Sequence, residues 1–556
     1  MNSHVVSPEI TLSSGLFRTK RHSASLMMTL LFLAISTVQS IAQSPEVRKA
    51  FRFIDIEQPS KGLAALEQLV NADPKSSSNL YYLGLAQLRT GARDKALATF
   101  EKGIATNEKD GLNYAGKGYV RLLEKNPTDA KVQLDKALAV SRSKDAGVLK
   151  AVAEAYLTDT KYLLDAINLL NKAKMINGTD PEVHMLLGEA YLMQNKQNAG
   201  ETVSSYERAA KADPKFAKPH YKIGLIYERA KSYDLAIESL NKAIEIDPEY
   251  APAYKDLGEI YYTQSEAAKA VTAYEKYLTI TENPGQAKFQ LAFFYFMAKN
   301  FEKANAIFKE VTDNPNASPV ALKYYAYSLV EQSKMEEARP IFEKYFQKAK
   351  PEDITASDYA YYGKLLLKLD ADSLATEAFA KSLALDSTQT SILQLQADTY
   401  FKLKKLPETI KAFKALMAAR KTPMSADLFY IGRAYYMNEQ YMEADTAFTK
   451  LAERQPNIPT GFLWAGRSRQ FIDSTGTQGL AKPMYEQVIE KASATPDKYK
   501  KDLIEAYDYL GTYTLQISKD VPKAKSYFEK ILAIDPNYER AKEFMKQLNA
   551  PAPKGK

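Results

Sequence analysis

The side chains able to do chemistry are few. The chain has four histidines and no cysteine. Without cysteine there is no disulfide framework, no thiolate zinc site and no cysteine nucleophile. His184 and His220 are the only histidines beyond the N-terminal segment. Each stands three residues before an apolar-glycine pair, Leu187-Gly188 and Ile223-Gly224. That slot suits a packed ring better than a base or a metal ligand. No His-Glu-x-x-His, P-loop, Gly-x-Gly-x-x-Gly or Gly-x-Ser-x-Gly motif stands in a suitable context. Asp and Glu are plentiful, but at helix ends and on polar faces, where a charge is ordinarily solvated. The expectation is a protein that is not an enzyme, with no cofactor and no metal.

The elements that carry these residues follow from length and repetition. A chain of 556 residues, 45% hydrophobic, is either three or four ordinary domains or one repeat array. Lys and Arg total 75 against 67 Asp and Glu, and the excess of +8 is too dilute to indicate nucleic acid. The 37 tyrosines are the oddity of composition. A small residue recurs at Ala50, Gly84, Gly118, Ala153, Gly188, Gly224, Gly258, Ala292, Ala326, Gly363, Ala397, Gly432, Gly466 and Gly511. Successive marks are 34 to 37 residues apart, except for a last interval of 45. An alanine follows in the second half of most periods, for example Ala96, Ala130, Ala236, Ala270, Ala304, Ala338, Ala375 and Ala444. Then comes a large ring, as at Phe100, Phe308, Phe342, Phe379, Phe413, Phe448 and Phe528, with Tyr206, Tyr274 and Tyr485 in the same slot. Prolines such as Pro74, Pro214, Pro248, Pro456 and Pro536 remove a backbone donor and end the second helix. Tyr156, Tyr191, Tyr227, Tyr261, Tyr295, Tyr400 and Tyr435 stand three residues after the small one and are expected in the core, which accounts for much of the tyrosine excess.

The order aromatic-x2-Leu-Gly-x2-Tyr, then Ala-x3-Phe, then Pro, on a period of about 34, resembles the tetratricopeptide repeat family over nearly all of residues 44–548. The resemblance implies an all-α fold: a right-handed superhelical solenoid of about fourteen helix pairs. Glu539 to Leu548 is expected to be a polar-faced capping helix. Residues 43–472 form the array through the first helix of repeat thirteen. Residues 473–548 hold an insertion loop (Asp473 to Gly479), the end of repeat thirteen, repeat fourteen and the cap. A disordered tail covers 549–556. Two smaller irregularities are Lys350-Pro351-Glu352-Asp353 and Asn177-Gly178-Thr179, the latter where repeat four lacks its proline.

Arg18, Lys20 and Arg21 precede an apolar run from Leu26 to Ile35 and a small-residue end, Ser40-Ile41-Ala42-Gln43. Residues 1–42 therefore read as a secretory signal peptide cut after Ala42. The run is too short to favour a transmembrane anchor, and no later stretch reaches about 20 residues.

In the resembled family the first helices line a concave groove. The position after the small residue often carries a clamp asparagine there, but none occurs in this chain, so a chaperone-tail clamp is not expected. Instead Phe289, Phe293, Phe296, Tyr324, Tyr327 and Tyr361 fall at inward-facing positions. Lys364, Lys368, Lys402, Phe429, Tyr430, Arg433, Trp464 and Arg467 follow, against Asp398. Aromatic bodies give contact area at low entropy cost, and cations can grip carboxylates. The reading is a protein-binding scaffold of the bacterial envelope, periplasmic or associated with the outer membrane, holding an extended or acidic segment. Two alternatives stand beside it: a glycan-binding or peptidoglycan-associated protein, and an accessory subunit of an envelope secretion or assembly complex.

Overall fold

The computed structural model describes residues 44–194 and 199–548. The signal segment with its cleavage after Ala42, and the tail 549–556, lie outside the described residues. All regular structure among the described residues is helical. None of those helices is long and apolar enough to cross a membrane. The described residues divide into two compact units, one ending at Asn300 and the other starting at Phe301. The division falls inside the eighth period, between the helices Gly285–Met297 and Phe301–Thr312.

Unit one begins with the pair Pro45–Asp55 and Pro59–Ala72 and adds a pair with each period up to Ala251–Thr263 and Ala267–Ile280. The recurrent small residue is where a second helix lays its ring against the first. A Cβ built on Gly84 would lie 2.6 Å from the Phe100 ring. Phe100, Tyr206 and Tyr274 are accordingly fully buried, each worth about 2–3 kcal/mol of apolar burial. Helices end at Ala72, Ala212 and Ile246, two residues before Pro74, Pro214 and Pro248. Repeat four has no such proline, and His184 takes over the turn. Its Nε2 bonds the Gly178 carbonyl at 2.9 Å and the ring is buried.

Unit two is built the same way, from Phe301–Thr312 to Glu539–Leu548. Gly363 meets the Phe379 ring with a prospective Cβ at 2.5 Å. Phe308, Phe342, Phe413, Phe448, Tyr485 and Phe528 fill the same slot, fully buried. In the insertion, Asp473 Oδ2 accepts from the backbone N–H groups of Gln478 and Leu480, at 3.1 and 3.4 Å. Gly476 and Gly479 take the left-handed turns, with φ of 70° and 68°. The chain thereby returns in time to seat Tyr485, and the helix Lys482–Ala492 packs on Lys500–Gln516. At the end, Phe544 of the capping helix stacks on Phe528 at 4.3 Å.

One expectation needs correction. Of the seven tyrosines placed in the core, Tyr295 and Tyr435 are buried, but Tyr156, Tyr191, Tyr227, Tyr261 and Tyr400 are only half-buried. A tyrosine hydroxyl must find a partner or water, and at this slot the ring packs while its polar end reaches the surface.

Candidate partner-binding surfaces

Unit one holds a partly open cavity of about 1070 Å³. Most of its half-buried charged lining is paired. Arg89 bonds Glu154 at 2.8 Å. Lys150 reaches Asp180 at 3.0 Å and Glu182 at 2.7 Å, and Lys222 reaches Glu189 at 3.1 Å. Burial would raise the Glu182 carboxyl, but the Lys150 ammonium and the Arg89 guanidinium outweigh it and hold the group at about 2. Several of these pairs stand about one repeat apart in sequence, so the stacking period itself brings the opposite charges together. Arg48, Lys49 and Lys215 line the cavity, exposed and without a carboxylate partner among the described residues.

The cavity exists because unit one closes on itself. Arg52 Nε and Nη2 donate to Asp247, both at 2.6 Å, and Nη2 also to Glu249 at 2.9 Å. Lys218 donates to Asp55 at 2.7 Å. Glu57 accepts from the hydroxyls of Tyr277 and Thr281 at 2.7 and 3.0 Å. Gln58 Nε2 donates to the Ile280 carbonyl at 3.0 Å. Repeat one thus touches the ends of the second helices of repeats six and seven. Nothing in a period of 34 announces this contact.

The sequence-read groove residues fall in both units and play different parts. In unit one Phe289 and Phe293 stack at 6.5 Å, and Phe293 meets Tyr262 at 5.4 Å; Phe296 is half-buried. In unit two Tyr327 is a correction to its reading as a contact residue. It is 5% exposed, its hydroxyl donates to Asp358 at 2.5 Å, and its ring stacks on Tyr361 at 4.0 Å. Tyr327 therefore supports the wall instead of facing a partner. Tyr324 lies edge-on to it at 5.9 Å. Asp358 is the buried node of that wall. It accepts from Lys323 at 2.8 Å, Tyr345 at 2.9 Å and the Thr355 N–H at 2.6 Å. Burial raises this carboxyl, but the bonds from Lys323 and Tyr327 more than offset that and leave it below its ordinary value. Lys364 and Lys368 are exposed, the former 5.7 Å from the Tyr361 ring. Lys402 is spoken for by Asp372 at 2.6 Å.

Further along unit two, the helices Thr390–Lys402, Ser425–Met437 and Pro459–Ile472 bring Phe401, Phe429, Arg433, Trp464 and Arg467 together. The Arg433 guanidinium lies 5.4 Å from the Phe401 ring, 5.8 Å from Phe429 and 5.5 Å from Trp464. No carboxylate reaches it among the described residues, and its Nε is buried without an acceptor. Arg467 is different. It lies 4.4 Å from Trp464 and grips Glu505 with two bonds, at 2.7 and 2.5 Å. The Trp464 indole is covered by Phe448, stacked at 5.4 Å, as well as by Arg467. Tyr430 is 37% exposed beside Phe401 and Phe413. Phe401 was missed in sequence; its signal is a ring 32 residues before Arg433, about one period. Among the described residues no cluster of three or more His, Asp or Glu could hold a metal.

Stacked helix pairs with aromatic and charged inner positions define a repeat scaffold of the kind that binds other proteins. Tetratricopeptide repeat models match residues 50–110, 216–283 and 428–457. A model described as anaphase-promoting complex, cyclosome, subunit 3 matches 263–345. Solved structures similar to the chain include the C-terminal part of a TPR repeat-containing protein from Cytophaga hutchinsonii. It is 32% identical over 46% of this chain and 98% of that one, with a TM-score of 0.36. A tetratricopeptide repeat protein from Parabacteroides merdae is 21% identical over 46% and 99%, with a TM-score of 0.30. YrrB, described as a TPR protein with an unusual peptide-binding site, is 21% identical over 34% and 95%, with a TM-score of 0.22. No curated protein matches. The chain belongs to the tetratricopeptide repeat family.

Proposed function

We propose that this protein is an exported, non-enzymatic scaffold of the bacterial envelope that holds an acidic protein segment on unit two, with Arg433 as the anchor. The observation that carries the reading is the guanidinium set among Phe401, Phe429 and Trp464 without a carboxylate of its own. A cation held by rings and lacking an internal partner keeps its donors for an incoming carboxylate, in a setting of reduced dielectric. Arg467, bonded twice to Glu505, shapes the site instead of gripping the guest. The leader with Arg18, Lys20 and Arg21 supports export. Glycan stacking is the weaker reading, because the indole it would use is already covered by Phe448 and Arg467.

The test is in-cell photo-crosslinking from position 430, one turn from Arg433, with the adduct identified and its contact segment mapped. The reading expects an acidic segment of an envelope protein, and a yield at least fivefold lower in Arg433→Gln. An adduct unaffected by Arg433→Gln, or a neutral or basic contact segment, contradicts it.

A further inference from the structure

Most of unit one is held neighbour to neighbour, as a stacked array should be. The contact of repeat one with repeats six and seven is of another kind, because its partners stand 163 to 225 residues apart in the chain. Repeat one is the terminal piece. Its helix Pro59–Ala72 packs on Ser77–Arg89, Phe51 of its first helix meets the Tyr82 ring at 6.2 Å and the Arg89 guanidinium at 5.0 Å, and the long-range contact is a second fastening. Phe51, Arg52 and Asp55 of its first helix line the cavity, so where that helix lies sets how open the cavity is.

The chemistry of the contact is that of a clasp. One side chain, Ile56, is fully buried in it, among Ala217, Leu240 and Tyr250. Phe53 packs half-buried beside the same cluster, and the remainder is polar. Arg52 is 38% exposed and Glu249 57% exposed, so water and salt reach the ion pair. Asp247 ends the helix Tyr233–Ile246, where the carbonyl dipoles also favour a cation. The Glu282 N–H donates to the Glu57 carbonyl at 3.1 Å, which fixes one register. These polar groups can all turn to water if the contact parts, so release strands none of them unpaired in an apolar interior.

We propose that residues 44–60 are a releasable latch that closes unit one over its charged cavity and admits large molecules to the cavity only when it parts from Asp247 and Ile280.

The cysteine-free chain makes the test direct, because two introduced thiols are the only labelling sites. In the full chain, spin labels at Gln68→Cys and Asn241→Cys report the closure by double electron–electron resonance. A thiol at Met185→Cys, in the cavity wall, reports access through its labelling rate with a 5-kDa polyethylene-glycol maleimide (about 5 kDa being bulky beside a drug-sized guest). The parent is expected to give one narrow distance and slow labelling. Arg52→Glu, which sets like charges against Asp247 and Glu249, is expected to lengthen and broaden the distance and to speed labelling about tenfold, with helicity unchanged by circular dichroism. Adding Asp247→Asn and Glu249→Arg to Arg52→Glu is expected to restore both readings, which separates an open latch from a damaged fold. An unchanged distance or labelling rate in Arg52→Glu overturns the proposal. So does failure of the compensating pair to restore the parent's behaviour.

Discussion

The paired cations of the unit-one cavity and Arg433 of unit two treat charge in opposite ways, although Arg48, Lys49 and Lys215 in that same cavity hold no carboxylate among the described residues. Along the cavity of unit one, Arg52, Arg89, Lys150 and Lys218 each hold a carboxylate. On unit two, Arg433 is surrounded by rings and holds none. The same fold and the same register thus produce a wall knit by its own ion pairs in one place and a cation left for something else in another. Internally satisfied charge fixes the position of repeats, whereas unsatisfied charge on an otherwise well-packed surface is what a binding site needs.

The largest expected difference is in stability. Lys150→Met removes the ammonium that Asp180 and Glu182 share and is expected to cost about 3 kcal/mol. Hydrogen exchange on the helix Pro181–Gln194 would read this as lost protection. Arg433→Met removes a charge with no partner, and the helix Ser425–Met437 is expected to keep its protection within about 0.5 kcal/mol. Equal losses at the two sites would erase the distinction.

Acid sharpens it next. Glu182 is held at about 2 against an ordinary 4.5. A carboxyl depressed on folding stabilises the protein above its unfolded value, and that contribution disappears as the pH falls through the folded one. Protection of Pro181–Gln194 should therefore decline between pH 4.5 and about 2, by up to about 3 kcal/mol. In Lys150→Met the decline should shrink, because the first of the three cations that depress Glu182, ahead of Arg89 and Lys218, is gone. A decline of the same size in Lys150→Met would assign the acid response elsewhere.

The smallest effect serves as a control that should be alike in the two units. Ser265 in unit one and Glu439 in unit two close turns within a repeat at φ of 64° and 60°, a region costly for any residue with a Cβ. Ser265→Gly and Glu439→Gly are each expected to gain roughly 0.5–1 kcal/mol in thermal or denaturant unfolding. A loss at either site would mean that its side chain does more than close a turn.

Much of the fold was legible because a repeat states its packing rule many times over. Gly84 against Phe100 and Gly363 against Phe379 are one contact made twice, and fourteen copies of a register mark cannot be missed. Departures from the rule were harder to read. Tyr156 and Tyr400 share a slot with buried Tyr295 and Tyr435 but keep their outer ends half-exposed. Their position in the period does not say where a hydroxyl finds its partner. The closure of unit one was invisible, because Arg52 meets Asp247 only after the small rotation at each of five junctions has accumulated. Of the groove residues, the sequence singled out Arg433, Arg467, Phe429 and Trp464, but not that Glu505 occupies Arg467 and leaves Arg433 unpaired. Those outcomes depend on which carboxylate is within reach, and the periodicity does not encode that.

The central claim is that Arg433, and not its neighbour, takes the partner's charge. The direct measurement is the affinity of the purified protein for the segment mapped by crosslinking, prepared as a synthetic peptide and titrated at rising salt. Arg433→Gln should weaken binding at least tenfold and flatten the salt dependence, while Arg467→Gln changes affinity less than threefold. Equal losses in the two variants, or an affinity indifferent to Arg433, would contradict the account.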